Sequence, residues 1–238
     1  MSAMYQPLAD RLRPNSIDEV VGQRHILGEQ GVLRRIIQGG NIPNLIFYGP
    51  SGTGKTTVAE IAAAQMHRPF HRLNATTASL ADIKAITADV GTLLAPEGVV
   101  LYLDEIQYFN KKQQQSLLEF METGKLTLIA ATTENPYFEV NGALLSRSVI
   151  FELYPLSRED VRELILRAVY DEKKGMGGYG AQIDEEAVEF LADLAGGDAR
   201  NALNAVELAV LTTTPSADGK IHITLDVASE CIQKRVVR

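Results

Sequence analysis

The sequence predicts an α/β chain in which helices flank a five-stranded parallel sheet, followed by a smaller, all-helical region. Three observations carry the prediction. Short apolar, β-rich runs occur at Asn44 to Tyr48, Phe70 to Leu73, Val99 to Asp104, Leu126 to Thr132 and Val149 to Leu153. Helix-length stretches separate most of these runs, and alternation of strand with helix is the pattern of crossover units in a parallel sheet. Two of the runs, Val99 to Leu103 and Leu126 to Ala131, are apolar on both faces, as strands covered by helices on either side must be.

Beyond Pro155 no strong strand pattern remains, which places a domain boundary near Leu153 to Ser157 and divides the chain into 1–154 and 155–238. Ser157 is an N-cap followed by Glu159 and Asp160, and the spacing of Leu156 and Val161 is that of a hydrophobic staple. The helix it opens carries the stripe Val161, Leu164, Ile165, Ala168 and Val169 and ends at Lys173-Lys174-Gly175. A second helix runs from Asp184 to Ala195 and stops at Gly196-Gly197; a third, capped by Asp198, presents Ala202, Leu203, Val206 and Val210. A fourth begins near Thr224 and is expected to run to Arg238. Gly175 to Gly180 reads as a flexible loop, and Cys231 as a packing residue.

With 45% hydrophobic and 22% charged residues the chain is globular, which excludes disorder and coiled coil. The 23 basic and 30 acidic residues sum to −7, so there is no global attraction to nucleic-acid backbones or anionic membranes. Any nucleic-acid contact needs a local patch. A single cysteine precludes an intrachain disulfide. The first 14 residues lack an apolar export core, and no apolar run approaches the roughly 20 residues of a membrane helix, so a cytoplasmic protein without a membrane partner is expected.

The chemistry concentrates after the first strand. Gly49-Pro50-Ser51-Gly52-Thr53-Gly54-Lys55-Thr56-Thr57 matches the P-loop pattern GxxxxGK[ST], with a strand before it and the helical run Thr56 to Met66 after it. Glycines there let consecutive backbone N–H groups turn inward around phosphates, and the helix N-terminus adds its positive dipole end. Lys55 is expected to reach the β- and γ-phosphates of ATP or ADP, and the Thr56 hydroxyl to ligate Mg²⁺. The run Val99 to Leu103 ends in Asp104 and Glu105, at the sheet edge where open α/β sheets bind ligands. Asp104 is suited to hold Mg²⁺ through water, and Glu105 to act as general base on the attacking water. Thr133, at the end of another buried run, is a hydroxyl for the γ-phosphate or that water; its plain alternative is a polar strand end.

These motifs, with Ser146-Arg147-Ser148 and Gly197-Asp198-Ala199-Arg200, come in the order of the AAA+ ATPases, and the chain resembles their clamp-loader clade. The segments Pro7 to Pro14, Val20 to Gln23, Ala131 to Pro136, Phe138 to Asn141 and Ala143 to Arg147 look like one branch, the ATPases of replication-associated recombination and their eukaryotic Werner-helicase-interacting relatives. The similarity covers essentially the whole chain. It implies that Val20 and Val21 lie beside the adenine, that Thr133 is the sensor-1 residue, and that Asn44 restrains Glu105 before activation. It further implies that Arg147 is an arginine finger for a neighbouring subunit and Arg200 the sensor-2 arginine of a helical lid. A cation in the first turn of a helix faces the unfavourable dipole end, an independent physical reason to give Arg200 a task. The plain alternatives are a surface ion pair for Arg200 and a salt bridge near Glu152 for Arg147.

The resemblance implies an ATP-hydrolysing core that remodels DNA–protein assemblies in replication, recombination and repair at stalled forks. Implied partners are fork, gap or end DNA and replication proteins such as single-strand binding protein, with a cytoplasmic, nucleoid-associated location. Such proteins resemble longer chains with an assembly domain, so a homo-oligomer is expected of the full length and a monomer of this core. Serine at 148, where sliding-clamp loaders usually carry cysteine, weakens the case for a loader subunit. Rival readings are a nucleotide-controlled DNA-binding module with incidental turnover, a Holliday-junction branch-migration motor, and a small-molecule kinase. His67 and His71 have a metal-ligand spacing that Pro69 interrupts. Asn110-Lys111-Lys112 and the loop Asn74 to Ser79 read as solvated surface rather than DNA contacts.

Overall fold

The computed structural model describes residues 6–232. They form two compact units, one of residues 15–154 and one joining residues 6–14 to 155–232.

In the first unit the strands are β1 (Leu45–Tyr48), β2 (Phe70–Asn74), β3 (Val99–Asp104), β4 (Leu126–Thr132) and β5 (Val149–Glu152). They make one sheet in the order β2-β3-β4-β1-β5, parallel throughout. Each strand matches a sequence-predicted run to within a residue or two. The α-helices, in chain order after α1 (Leu8–Arg11), are α2 (Arg24–Leu27), α3 (Val32–Gln38), α4 (Lys55–Gln65), α5 (Leu80–Thr87), α6 (Lys111–Glu122), α7 (Pro136–Glu139) and α8 (Gly142–Leu145).

The two-sided apolar strands have a direct explanation in the packing. Phe47, Val100, Tyr102, Ile129 and Ala131 point to one face and meet Leu33, Ile37, Val58, Ile61 and Ala62 of α3 and α4. Ile46, Leu101, Leu103, Leu128 and Ala130 point to the other and meet Ile83, Leu117, Leu118 and Met121 of α5 and α6. Alternate residues of one strand thus serve two cores, so a polar residue on either face would be buried. Charged and hydroxyl groups gather where β3 and β4 end, and all parallel strands end on the same edge.

The second unit contains α1, α9 (Arg158–Tyr170), α10 (Glu185–Ala195), α11 (Ala199–Thr212) and α12 (Leu225–Cys231). Ser157 and Asp160 form a reciprocal capping box on α9, Gly196 ends α10 in the left-handed conformation, and the Asp198 carboxylate caps α11. The region is not all-helical, a correction to the sequence expectation. Strands β6 (Ala181–Ile183) and β7 (Ile221–Ile223) pair in parallel. Three residues are too few for a periodicity to show, and their partners lie far apart in sequence. The loop expected to be flexible is anchored: Met176 is 1% exposed, its N–H donates to the Ala168 carbonyl at 2.7 Å, and Gly177–Tyr179 form a 3₁₀ turn.

Residues 6–14 join this unit rather than the preceding one. Leu8 is completely buried, its N–H donates to Glu207 Oε1 at 2.9 Å, and Arg11 Nη2 lies 3.0 Å from Met176 Sδ. The helical spacing of Leu8, Ala9 and Leu12 gives α1 an apolar face that covers the helical core. Helix α12 closes at Cys231, with Ile232 extended; the remainder of the fourth expected helix falls on 233–238, outside the described residues. Among the described residues no helix is long and apolar enough to cross a membrane.

Candidate active site

The chain leaves β1 into a turn that demands glycine. Gly49 has φ 143°, and a Cβ there would come within 2.1 Å of the Leu153 carbonyl oxygen. Its N–H donates to the Thr132 carbonyl at 3.2 Å, while the Leu153 N–H donates to the Tyr48 carbonyl at 2.8 Å, so the loop starts clamped between β4 and β5. Thr53 Oγ1 donates to the Pro50 carbonyl at 2.9 Å and closes the loop on itself. Gly54 then caps α4 with φ 102°, and no side-chain hydrogen bond to that cap occurs among the described residues. Space around Gly54 is open on the side where a Cβ would sit. First-turn amides with no side-chain cap, behind an open glycine turn, fit a phosphate chain.

Lys55 is 8% exposed, and its Nζ donates to the Gly49 and Pro50 carbonyls at 2.6 and 2.7 Å. The ammonium therefore lies inside the loop's curve. Thr56, 9% exposed, has its Oγ1 2.9 Å from the Tyr102 hydroxyl. Burial pushes the Tyr102 phenol well above its ordinary range, and the nearby Asp104 carboxylate adds to the shift by charge and hydrogen bonding. Thr56 is thus bonded to a phenol that stands two residues before Asp104 on β3. Two hard oxygen donors, one anionic, are the donor set that Mg²⁺ takes from a protein while keeping several waters.

Glu105 follows with φ 54°, a left-handed conformation uncommon for a residue with a side chain. Its N–H donates to Asp104 Oδ1 at 3.1 Å, and its Oε2 accepts from Gln107 Nε2 at 2.6 Å and lies 3.4 Å from Thr133 Oγ1. Backbone strain beside a charged group is a recurrent feature of working sites. Asp104, Glu105 and Thr133 meet because β3 and β4 are neighbours ending on one edge. Gln107 is a site residue that sequence reasoning missed; three positions past a strand, it reads as turn surface.

Asn44 does not restrain Glu105, contrary to expectation. It lies at the start of β1, on the opposite sheet edge, where its Oδ1 accepts the Leu128 N–H at 2.8 Å and its Nδ2 approaches the Arg147 carbonyl at 3.4 Å. Arg147 shares that edge. Val149 pairs with Leu45, four residues before Gly49, so roughly 13 Å of strand separates Arg147's end of the sheet from the P-loop. Its guanidinium pairs with Glu122 at 2.8 Å, not with Glu152, and donates to the Ala143 carbonyl at 3.1 Å.

Val20 and Val21 lie in a segment fastened to the P-loop. Gln23, 5% exposed, donates to the Thr53 carbonyl at 3.1 Å and the Tyr154 carbonyl at 2.8 Å, and accepts the Tyr154 N–H at 3.0 Å. His25 stacks on Tyr154 with centroids 4.2 Å apart. Gln23 is the second missed residue, visible in sequence only as part of a motif. In the other unit, Arg200 lies exposed in the first turn of α11, its N–H held by Asp198 Oδ1 at 3.0 Å, and its guanidinium has no ion-pair partner among the described residues. Lys111 and Lys112 are exposed at the start of α6, and His67 and His71 belong to no cluster of three or more metal-ligating residues among those described.

Residues 45–156 match the family described as ATPases associated with various cellular activities (AAA), and residues 177–238 match the AAA C-terminal domain. The replication-associated recombination protein A of Bacillus subtilis is 43% identical over 97% of this chain and 54% of its own length. ATPase WRNIP1 of Dictyostelium discoideum is 37% identical over 87% of this chain and 24% of its own. The chain spans about half the length of the bacterial relatives it matches. Among solved structures, the Thermotoga maritima RuvB Holliday junction branch migration motor superposes with a TM-score of 0.73 at 25% identity, covering 93% of this chain and 72% of that one.

Proposed function

Since the chain belongs to the AAA ATPases, enzymes that hydrolyse ATP, we propose that its site binds ATP with Mg²⁺ and uses hydrolysis to remodel DNA–protein assemblies in replication, recombination and repair at stalled forks. The observation that carries the catalytic part is the meeting of Lys55, Thr56, Asp104, Glu105 and Thr133 around one sheet edge. The DNA part rests on the recombination proteins and the branch-migration motor to which the chain is similar.

In this reading the loop amides and Lys55 hold the phosphates, and Val20 and Val21 lie beside the adenine. Thr56 and Asp104 would hold Mg²⁺, which when bound would supply charge neutralisation to the phosphates. Glu105 accepts a proton from the attacking water, with its carboxylate aimed by Gln107 and Thr133. Arg147 acts on the nucleotide of a neighbouring copy, because its own P-loop lies at the far end of the strands. Arg200 senses the nucleotide; its support is a guanidinium without an ion-pair partner among the described residues, kept at the unfavourable end of a helix dipole. Replacing Arg200 by alanine is expected to blunt the difference between ATP- and ADP-bound forms in solution scattering more than it weakens ADP binding. The full-length protein is read as a cytoplasmic, nucleoid-associated homo-oligomer, with single-strand binding protein among its partners.

ATPase assays with forked, gapped and blunt DNA test the whole reading. Stimulation by one of these substrates supports it, and turnover indifferent to all of them removes the DNA part. The likeness to the branch-migration motor favours one second reading, directional movement along duplex DNA, which strand-displacement from a triplex would reveal.

A further inference from the structure

We propose that Tyr102 is a positioning residue for the Mg²⁺ site, taking the proton of the Thr56 hydroxyl so that a lone pair of Thr56 faces the cation. The inference rests on the reading of Thr56 and Asp104 as the Mg²⁺-holding pair. Tyr102 stands two residues before Asp104 on β3, hence on the same face, and is 1% exposed. Its hydroxyl lies 2.9 Å from Thr56 Oγ1.

Each hydroxyl has one proton to give and two lone pairs to offer. If Tyr102 donated to Thr56, the threonine proton would turn toward the site and repel a cation. A Thr56 that ligates a cation must turn its proton away from the ion, and the Tyr102 hydroxyl 2.9 Å away is placed to accept it.

A cation also lies over the ring. Arg72, paired with Tyr102 in the β2–β3 register, has its guanidinium 5.9 Å from the ring centroid and bonds Glu60 at 2.5 Å. A phenylalanine would fill the same space and leave the Thr56 proton without its acceptor, in a position 9% exposed.

The test is Mg²⁺ titration of the binding of a fluorescent, non-hydrolysable ATP analogue to the wild type and Tyr102→Phe. Groups that orient metal ligands typically change metal affinity by about 10- to 100-fold when removed. Tyr102→Phe is therefore expected to raise the half-saturating Mg²⁺ concentration at least about tenfold, while analogue affinity in EDTA stays as in the wild type. One neutral hydrogen bond is small against the stability of a domain of this size, so the variant folds, and its melting temperature serves as the control. A merely structural role would lower the melting temperature and leave the Mg²⁺ response unmoved. An unchanged Mg²⁺ midpoint in a folded variant, or an equal loss of affinity in EDTA, overturns the proposal. Wild-type binding indifferent to Mg²⁺ overturns both the proposal and the reading beneath it.

Discussion

Gln107 donates to the Glu105 carboxylate at 2.6 Å from two positions along the chain, and with Thr133 it fixes a side chain whose own backbone is left-handed. The carboxylate is thereby oriented by groups on two adjacent strands' ends. Glu105→Gln keeps the shape and removes the base. It is expected to bind ATP normally and to hydrolyse it at least about a hundredfold more slowly. Gln107→Leu leaves the base in place without its donor, and turnover should fall about tenfold with little change in nucleotide affinity, an energy on the scale of one hydrogen bond to a charged group. Steady-state turnover and fluorescent-nucleotide binding, measured together, check both.

Lys55 makes the complementary case. Its buried ammonium now satisfies two loop carbonyls and would turn to phosphate oxygens on binding. Lys55→Ala should weaken ATP binding by about 1.5–3 kcal/mol, the worth of a charge-assisted hydrogen bond, so calorimetry should register a loss of roughly tenfold to a hundredfold.

How these groups were legible differs from residue to residue. Lys55, Thr56, Asp104 and Glu105 stand in runs whose spacing is fixed by a strand, a turn and a helix, so local pattern sufficed to find them. Gln107 and Gln23 act through single side-chain amides that reach backbone or carboxylate groups placed by the fold, and no periodicity marks such a reach. Asn44 was misjudged because a polar residue before a strand says nothing about which edge it serves. Leu8 and Ile221 illustrate the same limit: α1 and β7 take their partners from segments more than 35 residues away, across sequence that carries no trace of the pairing.

Acid should loosen the loops before the cores. Asp171 is held below its ordinary 3.8 chiefly by the Lys174 and Lys173 backbone N–H groups, Asp82 by Ser79, and Asp218 by the Lys220 N–H and then His222. A carboxylate whose folded pKa is depressed contributes stability that is fully present above its unfolded value and is lost as pH falls through the folded one. These contributions are therefore constant from pH 5 to 8 and disappear below about pH 4. Melting temperature against pH should show that fall, and Asp171→Asn should make it shallower.

Gly175 tests the helical unit alone. A Cβ there would lie 2.7 Å from the carbonyl oxygens of both Arg167 and Asp171, backbone atoms at the end of α9 that cannot swing aside. Gly175→Ala should cost about 1–3 kcal/mol, the usual price of overpacking, and lower the melting temperature, whereas substitution at Gly178, which has open space around it, should be nearly neutral.

Arg147 offers the strictest test of assembly. The strand register puts it on the edge opposite its own P-loop, paired with Glu122 at the surface, so a catalytic role requires a second copy. An arginine supplied in trans stabilises the charge of the phosphoryl-transfer transition state by a factor on the order of 10³ or more. Turnover per subunit should then rise with protein concentration, and Arg147→Ala should abolish that rise while nucleotide affinity stays unchanged. Mixing Arg147→Ala with Glu105→Gln should restore part of the activity, because one variant retains an intact base and the other an intact finger, and a mixed interface contains both. Two inactive variants that co-assemble and remain inactive would exclude the trans role, leaving Arg147 as a surface partner of Glu122. Glu122→Gln separates that case: it frees the guanidinium from its ion pair, so turnover should hold or rise if Arg147 reaches across an interface, and should be indifferent to Arg147 if the pair is all there is.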